Sequence, residues 1–221
     1  MTQTQVGPGL DKDDDVVIGY PADRVAEQWI SVGADARLRS GTVLYAGTSI
    51  GDRLQTGHHV IVREECVIGD DVAIWSNTVV DYGCRIGDNV KIHSNCYVAQ
   101  FTEIRENAFL APGVTVANDL YPGQADSADA MSGPWIGPGA QIGVNVTLLP
   151  YVRIGAGCLV GAGSVVTRDL PEGTVAYGNP AVVRGRVADL RDVNARVEQT
   201  DSASRFRLAV TSPVPEDAVR S

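Results

Sequence analysis

An aliphatic residue returns every sixth position from Val32 to Val116, and no other feature of the chain restricts its fold as much. Val32, Leu38, Leu44 and Ile50 open the series, and Val62, Ile68, Ile74, Val80, Ile86, Ile92, Val98, Ile104, Leu110 and Val116 carry it on, with Thr56 as the one break. Four residues after each lies a second slot, small or β-branched except at Leu54, as in Thr48, Cys66, Thr78, Cys84 and Cys96. A period of six is neither the 3.6 of a helix nor the 2 of a strand, so the chain predicts stacked repeats in place of a layered domain. Gly33, Gly51, Gly69 and Gly87 recur at intervals of eighteen, and Gly137 with Gly155 resumes the interval. One turn of the coil is therefore three hexapeptides, each a short strand ended by a bend of Gly, Asp or Asn. The aliphatic slots fill a triangular interior that stacking makes continuous, each contributing about 1.5–3 kcal/mol before entropy is subtracted.

The beat stops between Ala117 and Trp135 (ANDLYPGQADSADAMSGPW) and resumes at Ile136, Ile142, Leu148, Ile154, Val160 and Val166. A loop of this length inside so regular a solid is expected to serve function. Residues 1–15 are polar and acidic and predict a flexible tail. Val16 to Tyr20 reads as a first strand, and Ala22 to Ile30 as a turn or helical segment capping the coil's open end. The coil domain spans 16–187, and 188–221 read as a C-terminal helix, over 188–198, followed by a disordered tail. All four cysteines, Cys66, Cys84, Cys96 and Cys158, fall in the small inward slot and read as core residues.

A chain of 221 residues, 44% hydrophobic, supports one well-buried domain. A net charge of −9 argues against nucleic acid or an anionic membrane as partner. No apolar run approaches a membrane span and the first residues carry no secretory pattern, so the expected location is cytoplasmic.

Residues eighteen apart stack about 4.8 Å from each other. One corner thereby collects Gly57-His58-His59, Trp75-Ser76-Asn77 and His93-Ser94-Asn95, with all three histidines of the chain among them. Convergence of imidazoles, amides and an aromatic is what a site requires. A histidine, with an ordinary pKa of about 6.5, suits proton transfer near neutral pH, and amide N–H groups suit a developing oxyanion. Adjacent His58 and His59 cannot readily face one ion together with a distant His93, so no metal is expected.

The six-residue pattern, over roughly Val17 to Val187, resembles the hexapeptide-repeat acyltransferases. The resemblance implies an all-β fold, a left-handed parallel β-helix with one extruded loop and a short C-terminal helix, assembled as a homotrimer with sites in grooves between subunits. Thr56 to Glu64 resembles a Thr-Gly-His…Arg-Glu stretch of sugar-modifying members, which implies His58, or else His59, as base and Arg63 and Glu64 in substrate binding. Lys91 to Asn95 together with Asn118-Asp119-Leu120-Tyr121-Pro122 resembles the acceptor region of nucleotide-sugar N-acetyltransferases. That likeness implies Asn95 as catalytic, with Asn77, His93, Asn118 and Tyr121 around the acceptor. Some relatives lack a histidine base, and there the thiolate leaving group takes the proton. The stretch Gly161 to Arg186 is similar to the family's coenzyme A region, implying Gly143, Gly161, Ala162, Arg168, Pro180 and Arg184 along acetyl-CoA or another acyl-CoA. The expected reaction is acyl transfer to an amino group of a nucleotide-linked sugar. The alternatives are O-acetylation of a small-molecule hydroxyl and, further off, a scaffold without catalysis.

Overall fold

The computed structural model describes residues 2–190. The helix expected over 188–198 lies from 191 onward outside the described residues, and the tail over 200–221 wholly so; Val187–Asp189 form a single 3-10 turn.

Three flat walls enclose the core, with eight, ten and eight strands among the described residues. A representative coil consists of Val67–Ile68, Ala73–Ile74 and Val79–Val80, one strand on each wall. Each pairs in parallel with the strand eighteen residues on, so that Ile68 lies over Ile86, Ile74 over Ile92 and Val80 over Val98. The second residue of every two-residue strand from Arg37 to Val166 points inward and is buried, and these stacked residues, aliphatic at all but Thr56, form the core. Three bends follow per coil, at the corners joining the first wall to the second, the second to the third, and the third back to the first.

The small slot proves to be chosen for chemistry as well as size. Thr48 Oγ1 donates to the Arg63 carbonyl at 2.9 Å, Cys66 Sγ to Asp81 at 3.1 Å, and Thr78 Oγ1 to His93 at 2.8 Å. Cys84 and Cys96 repeat the pattern to Ala99 and Ala111 at 3.2 and 3.3 Å. Each donor satisfies a bend carbonyl fifteen residues ahead that the strand ladder leaves over. Thr56 breaks the aliphatic series without penalty because its hydroxyl lies 2.9 Å from that of Thr42. All four cysteines are free and buried. The Cys84 thiol, beside the Cys66 thiol and buried, and the Cys96 thiol, buried, are both pushed above the usual thiol range. Native protein is therefore expected to leave all four unreacted with Ellman's reagent over minutes and to titrate four equivalents in denaturant; rapid reaction before unfolding would contradict their placement.

Residues 2–15 are not a tail. Gln3–Val6 pairs with Trp29–Val32 and Asp11–Lys12 with Arg37–Leu38, which makes them the first two sides of an additional coil completed by Val17–Tyr20. That coil hides its beat because Lys12 stands where Leu38 stands one layer on, and because its strands lie twenty-six residues from their partners. The surplus is the Ala22–Gln28 segment, which bulges from the corner instead of capping the end, its turn held by Gln28 bonded to the Ala22 backbone at 2.8 and 3.0 Å.

The long loop leaves after Thr115–Val116 and returns at Trp135–Ile136. Ile104 still pairs with Ile136 and Val116 with Leu148, so the coil continues in register across it. At the far end Thr174–Tyr177 adds in parallel to Leu159–Val160, and Val182–Arg186 folds back on it antiparallel.

Candidate active site

The corner between the second and third walls carries the histidines, and its backbone explains most of its polar column. His59, Asn77 and Asn95 have φ of +55°, +59° and +61°, and Gly41 and Gly113 continue the column at +74° and +73°. Each coil from Gly41 to Gly163 has a left-handed residue here, which Asn and Gly adopt at least cost. The His59 ring fills the space over Gly41, where a Cβ would collide with its Nδ1. His58 is exposed, its backbone N–H donating to Ser76 Oγ at 3.0 Å. His93 stacks on Trp75 with centroids 4.3 Å apart and tilts against Phe109 at 5.0 Å. The structure thus gathers His58, His59, Asn77, His93 and Asn95 on one corner, with turn and stacking roles that account for His59, Asn77, His93 and Asn95.

Arg63, Glu64 and Asn118 lie elsewhere, on the corner between the third wall and the first, and there the repeat is broken by charge. Glu64 is 1% exposed and meets Arg63 through two hydrogen bonds of 2.8 and 2.9 Å. Burial pushes its carboxyl up, but the bonds from Arg63 and its own backbone outweigh this and hold it below the usual carboxylate range. Asp81, one coil on and also buried, accepts from the Tyr97 hydroxyl at 2.8 Å, Gln100 Nε2 at 2.7 Å and the Tyr82 N–H at 2.8 Å. Arg63 Nη1 approaches it at 3.6 Å. Burial and the bond to Asp81 push the Tyr97 hydroxyl up to about 12. Gln100 Oε1 in turn accepts from Asn118 Nδ2 at 2.7 Å. Asn118 opens the long loop and its carbonyl accepts from the Ser132 N–H at 2.9 Å, tying the loop's two ends together. Within the loop, Leu120, Tyr121, Asp126 and Tyr151 of the next coil line a cavity of about 180 Å³.

Asp81, Tyr97 and Gln100 were absent from the sequence candidates, as was Arg24 of the Ala22–Gln28 bulge, whose guanidinium sits 4.0 Å over the Tyr82 ring and 3.9 Å from Glu64. A usable signal was present. Asp81 follows the aliphatic slot of a strand at a place where most coils carry neutral residues, and Gln100 and Asn118 are eighteen apart on the same corner.

The coenzyme A candidates gather at the C-terminal end. A Cβ on Gly143 would meet Ala162 N at 2.7 Å, and one on Gly161 would meet Tyr177 Cβ at 2.7 Å, so close coil packing already requires both glycines. Ala162, Arg168, Pro180 and Arg184 are exposed, and Arg184 lies 5.6 Å from the Tyr177 ring. Arg168 shares the third-to-first corner with Asn118, whereas Gly161 and Ala162 share the histidine corner. Among the described residues no three or more His, Cys, Asp or Glu converge as a metal site would need.

Residues 83–118 and 133–168 match the bacterial transferase hexapeptide family model (six repeats), and 65–100 match the hexapeptide repeat of succinyl-transferase. These matches identify hexapeptide repeats of the bacterial-transferase type over the middle of the chain. The UDP-N-acetylglucosamine acyltransferase from Campylobacter jejuni superposes with a TM-score of 0.63 at 19% identity, covering 92% of this chain and 81% of that one, and shares the left-handed parallel β-helix. Among curated relatives, a galactoside O-acetyltransferase from Lactococcus lactis is 32% identical over 90 residues, 39% of this chain and 44% of its own. A dTDP-3-amino-3,6-dideoxy-alpha-D-galactopyranose 3-N-acetyltransferase from Aneurinibacillus thermoaerophilus is 53% identical over 49 residues, 22% of this chain and 26% of its own. The chain thus spans less than half the length of the curated relatives it matches. In a hexapeptide-repeat coil the bends are largely dictated by the coil, so chemistry is best sought where a corner departs from it, as the charged loop corner does.

Proposed function

We propose that the chain is an acyl-CoA-dependent acyltransferase, acetyl-CoA being the expected donor, that acylates an amino group of a nucleotide-linked sugar at the corner bearing the long loop. The observation that carries this reading is the array in which Arg63 joins buried Glu64 and Asp81, and half-buried Gln100 carries the chain of contacts on to Asn118 at the base of the loop. Buried carboxylates are costly, and here they are fully bonded, which makes the array a rigid mount for the half-buried Asn118 amide at its end.

In this account Asn118 and Tyr121 hold the acceptor, with Arg63 bordering it. The amine nitrogen attacks the thioester carbonyl, a C–N bond forms, the C–S bond breaks, and the nitrogen's proton leaves with the thiolate or passes to a base. The donor's phosphates fit the exposed Arg168 and Arg184, and because Gly161 and Ala162 sit on the histidine corner, a pantetheine arm along them serves the loop corner of another copy. Two coils separate Asn118 from Arg168, about 10 Å of axis.

His58 can act as base only across copies, because within one chain its corner and the loop corner are different edges of the triangle. The wall between those edges bears Val43, Ile61, Val79, Tyr97, Thr115, Thr147 and Val165 on its outer face, uncharged throughout, where the second wall interleaves Ala73, Phe109 and Leu159 with Arg37, Gln55, Lys91 and Gln141. This face suits self-association and supports a homotrimer in which one copy's histidine corner meets another's loop.

The reading is tested by screening amino sugars and their hydroxyl counterparts, linked to nucleotides, with acetyl-CoA. An acetylated product that resists mild alkaline hydroxylamine supports N-transfer; a labile ester replaces it with O-transfer, the second reading favoured by the galactoside relative.

A further inference from the structure

We propose that Asp81 is a positioning residue which, acting through Gln100, commits the Asn118 NH2 and leaves its amide oxygen free at the base of the long loop, so that the site presents a hydrogen-bond acceptor to an incoming N–H. This deepens the amine-acceptor reading and rests on it for the identity of the substrate, though not for the relay itself.

Hydrogen-bond polarity fixes the order of these groups. A carboxylate accepts and cannot donate. Asp81 Oδ1 takes the Tyr82 N–H at 2.8 Å, and Oδ2 takes the Tyr97 hydroxyl at 2.8 Å and Gln100 Nε2 at 2.7 Å. Gln100 is thereby committed to turn its NH2 toward Asp81 and its oxygen the other way. That oxygen then demands a donor, which Asn118 supplies from Nδ2 at 2.7 Å. The oxygen of Asn118, a half-buried residue at the loop's base, is left without a donor among the described residues. One buried carboxylate two coils below thus sets which atom of Asn118 meets a ligand. The other groups facing Asp81 agree with its role as a pure acceptor: Arg63 Nη1 stands 3.6 Å from Oδ1, and the Tyr97 proton is held firmly.

The relay makes an unusual substitution informative. In Asp81→Asn the new amide nitrogen cannot face the Tyr82 N–H and Arg63, so it takes the Oδ2 place. Gln100 must then turn over to accept from it, Asn118 turns in response, and its NH2 is left free at the loop's base. Adding Asn118→Asp restores an acceptor there, because an aspartate can take the reversed Gln100 N–H with one oxygen and present the other.

The experiment uses the full chain and needs no ligand at its first stage. Thermal melts of wild type, Asp81→Asn, Asn118→Asp and the double variant form a cycle. The double variant is expected to melt above Asn118→Asp alone, in which two oxygens oppose each other, and this coupling should vanish when Gln100→Leu is present in all four. Additive melts, or coupling that survives Gln100→Leu, would overturn the relay. The second stage measures acetyl transfer to dTDP-3-amino-3,6-dideoxygalactose and to its 3-hydroxy counterpart. Asp81→Asn is expected to cut kcat/KM for the amine about tenfold or more, and the amine-to-hydroxyl preference with it, with recovery in the double variant. Equal loss for both acceptors would overturn the specificity claim. Absence of turnover by every chain would count against the amine-acceptor reading and leave the melts to judge the relay.

Discussion

Ile86→Asp is expected to abolish folding. Ile86 is 3% exposed and lies in register between Ile68 and Ile104, so its side chain is enclosed by the coils above and below. Losing a buried aliphatic side chain costs about 2–5 kcal/mol, and an unpaired carboxylate in its place adds several more. A domain holds roughly 5–15 kcal/mol in total, so the sum consumes most or all of it. Neutralising the carboxyl by protonation lowers the penalty without removing it. The neighbouring Arg85 points outward and is exposed, and Arg85→Asp should fold normally. Far-UV circular dichroism and gel filtration of the pair check the claim. Soluble, cooperatively melting Ile86→Asp would show that the six-residue beat does not mark the interior.

Asn118→Ala is expected to lower kcat/KM for the acceptor about a hundredfold while leaving the melting temperature within a few degrees. A preorganised polar contact to the reacting centre is worth about 10²–10³ in rate, whereas the loss of one partner for Gln100 costs about 1 kcal/mol. The variant that matters beside it is His58→Ala. A comparable loss there, in the 10²–10⁴ range of a general base, assigns the proton to His58 from another copy; parity with wild type assigns it to the leaving thiolate. Normal kinetics in Asn118→Ala would move the acceptor away from the loop corner.

The fold was legible because its signal is redundant. A period of six held from Val32 to Val116 and again from Ile136 to Val166 survives one substitution at Thr56 and an intervening loop, since the interior must be filled at every layer. The first coil escaped because Lys12 occupies an inward register position at an end layer, where solvent tolerates a charge, and because the Ala22–Gln28 bulge shifts the count. The site was harder to read. The histidine corner drew notice by composition, yet the left-handed φ at His59, Asn77 and Asn95 gives those positions a backbone reason. Arg63, Glu64 and Asn118 were singled out by resemblance, while Asp81, Tyr97 and Gln100, which join them, stand sixteen to nineteen residues apart in sequence and meet only because coils stack. Composition marks where polar residues occur; the hydrogen-bond polarity that orders them appears only when the corner is assembled.

Isothermal titration of the purified chain with coenzyme A and acetyl-CoA is the most direct test of the account. Saturable binding of one equivalent per chain, weakened when Arg168 and Arg184 are both changed to Ala, is the predicted result. No heat of binding at millimolar ligand would contradict the acyltransferase reading at its root.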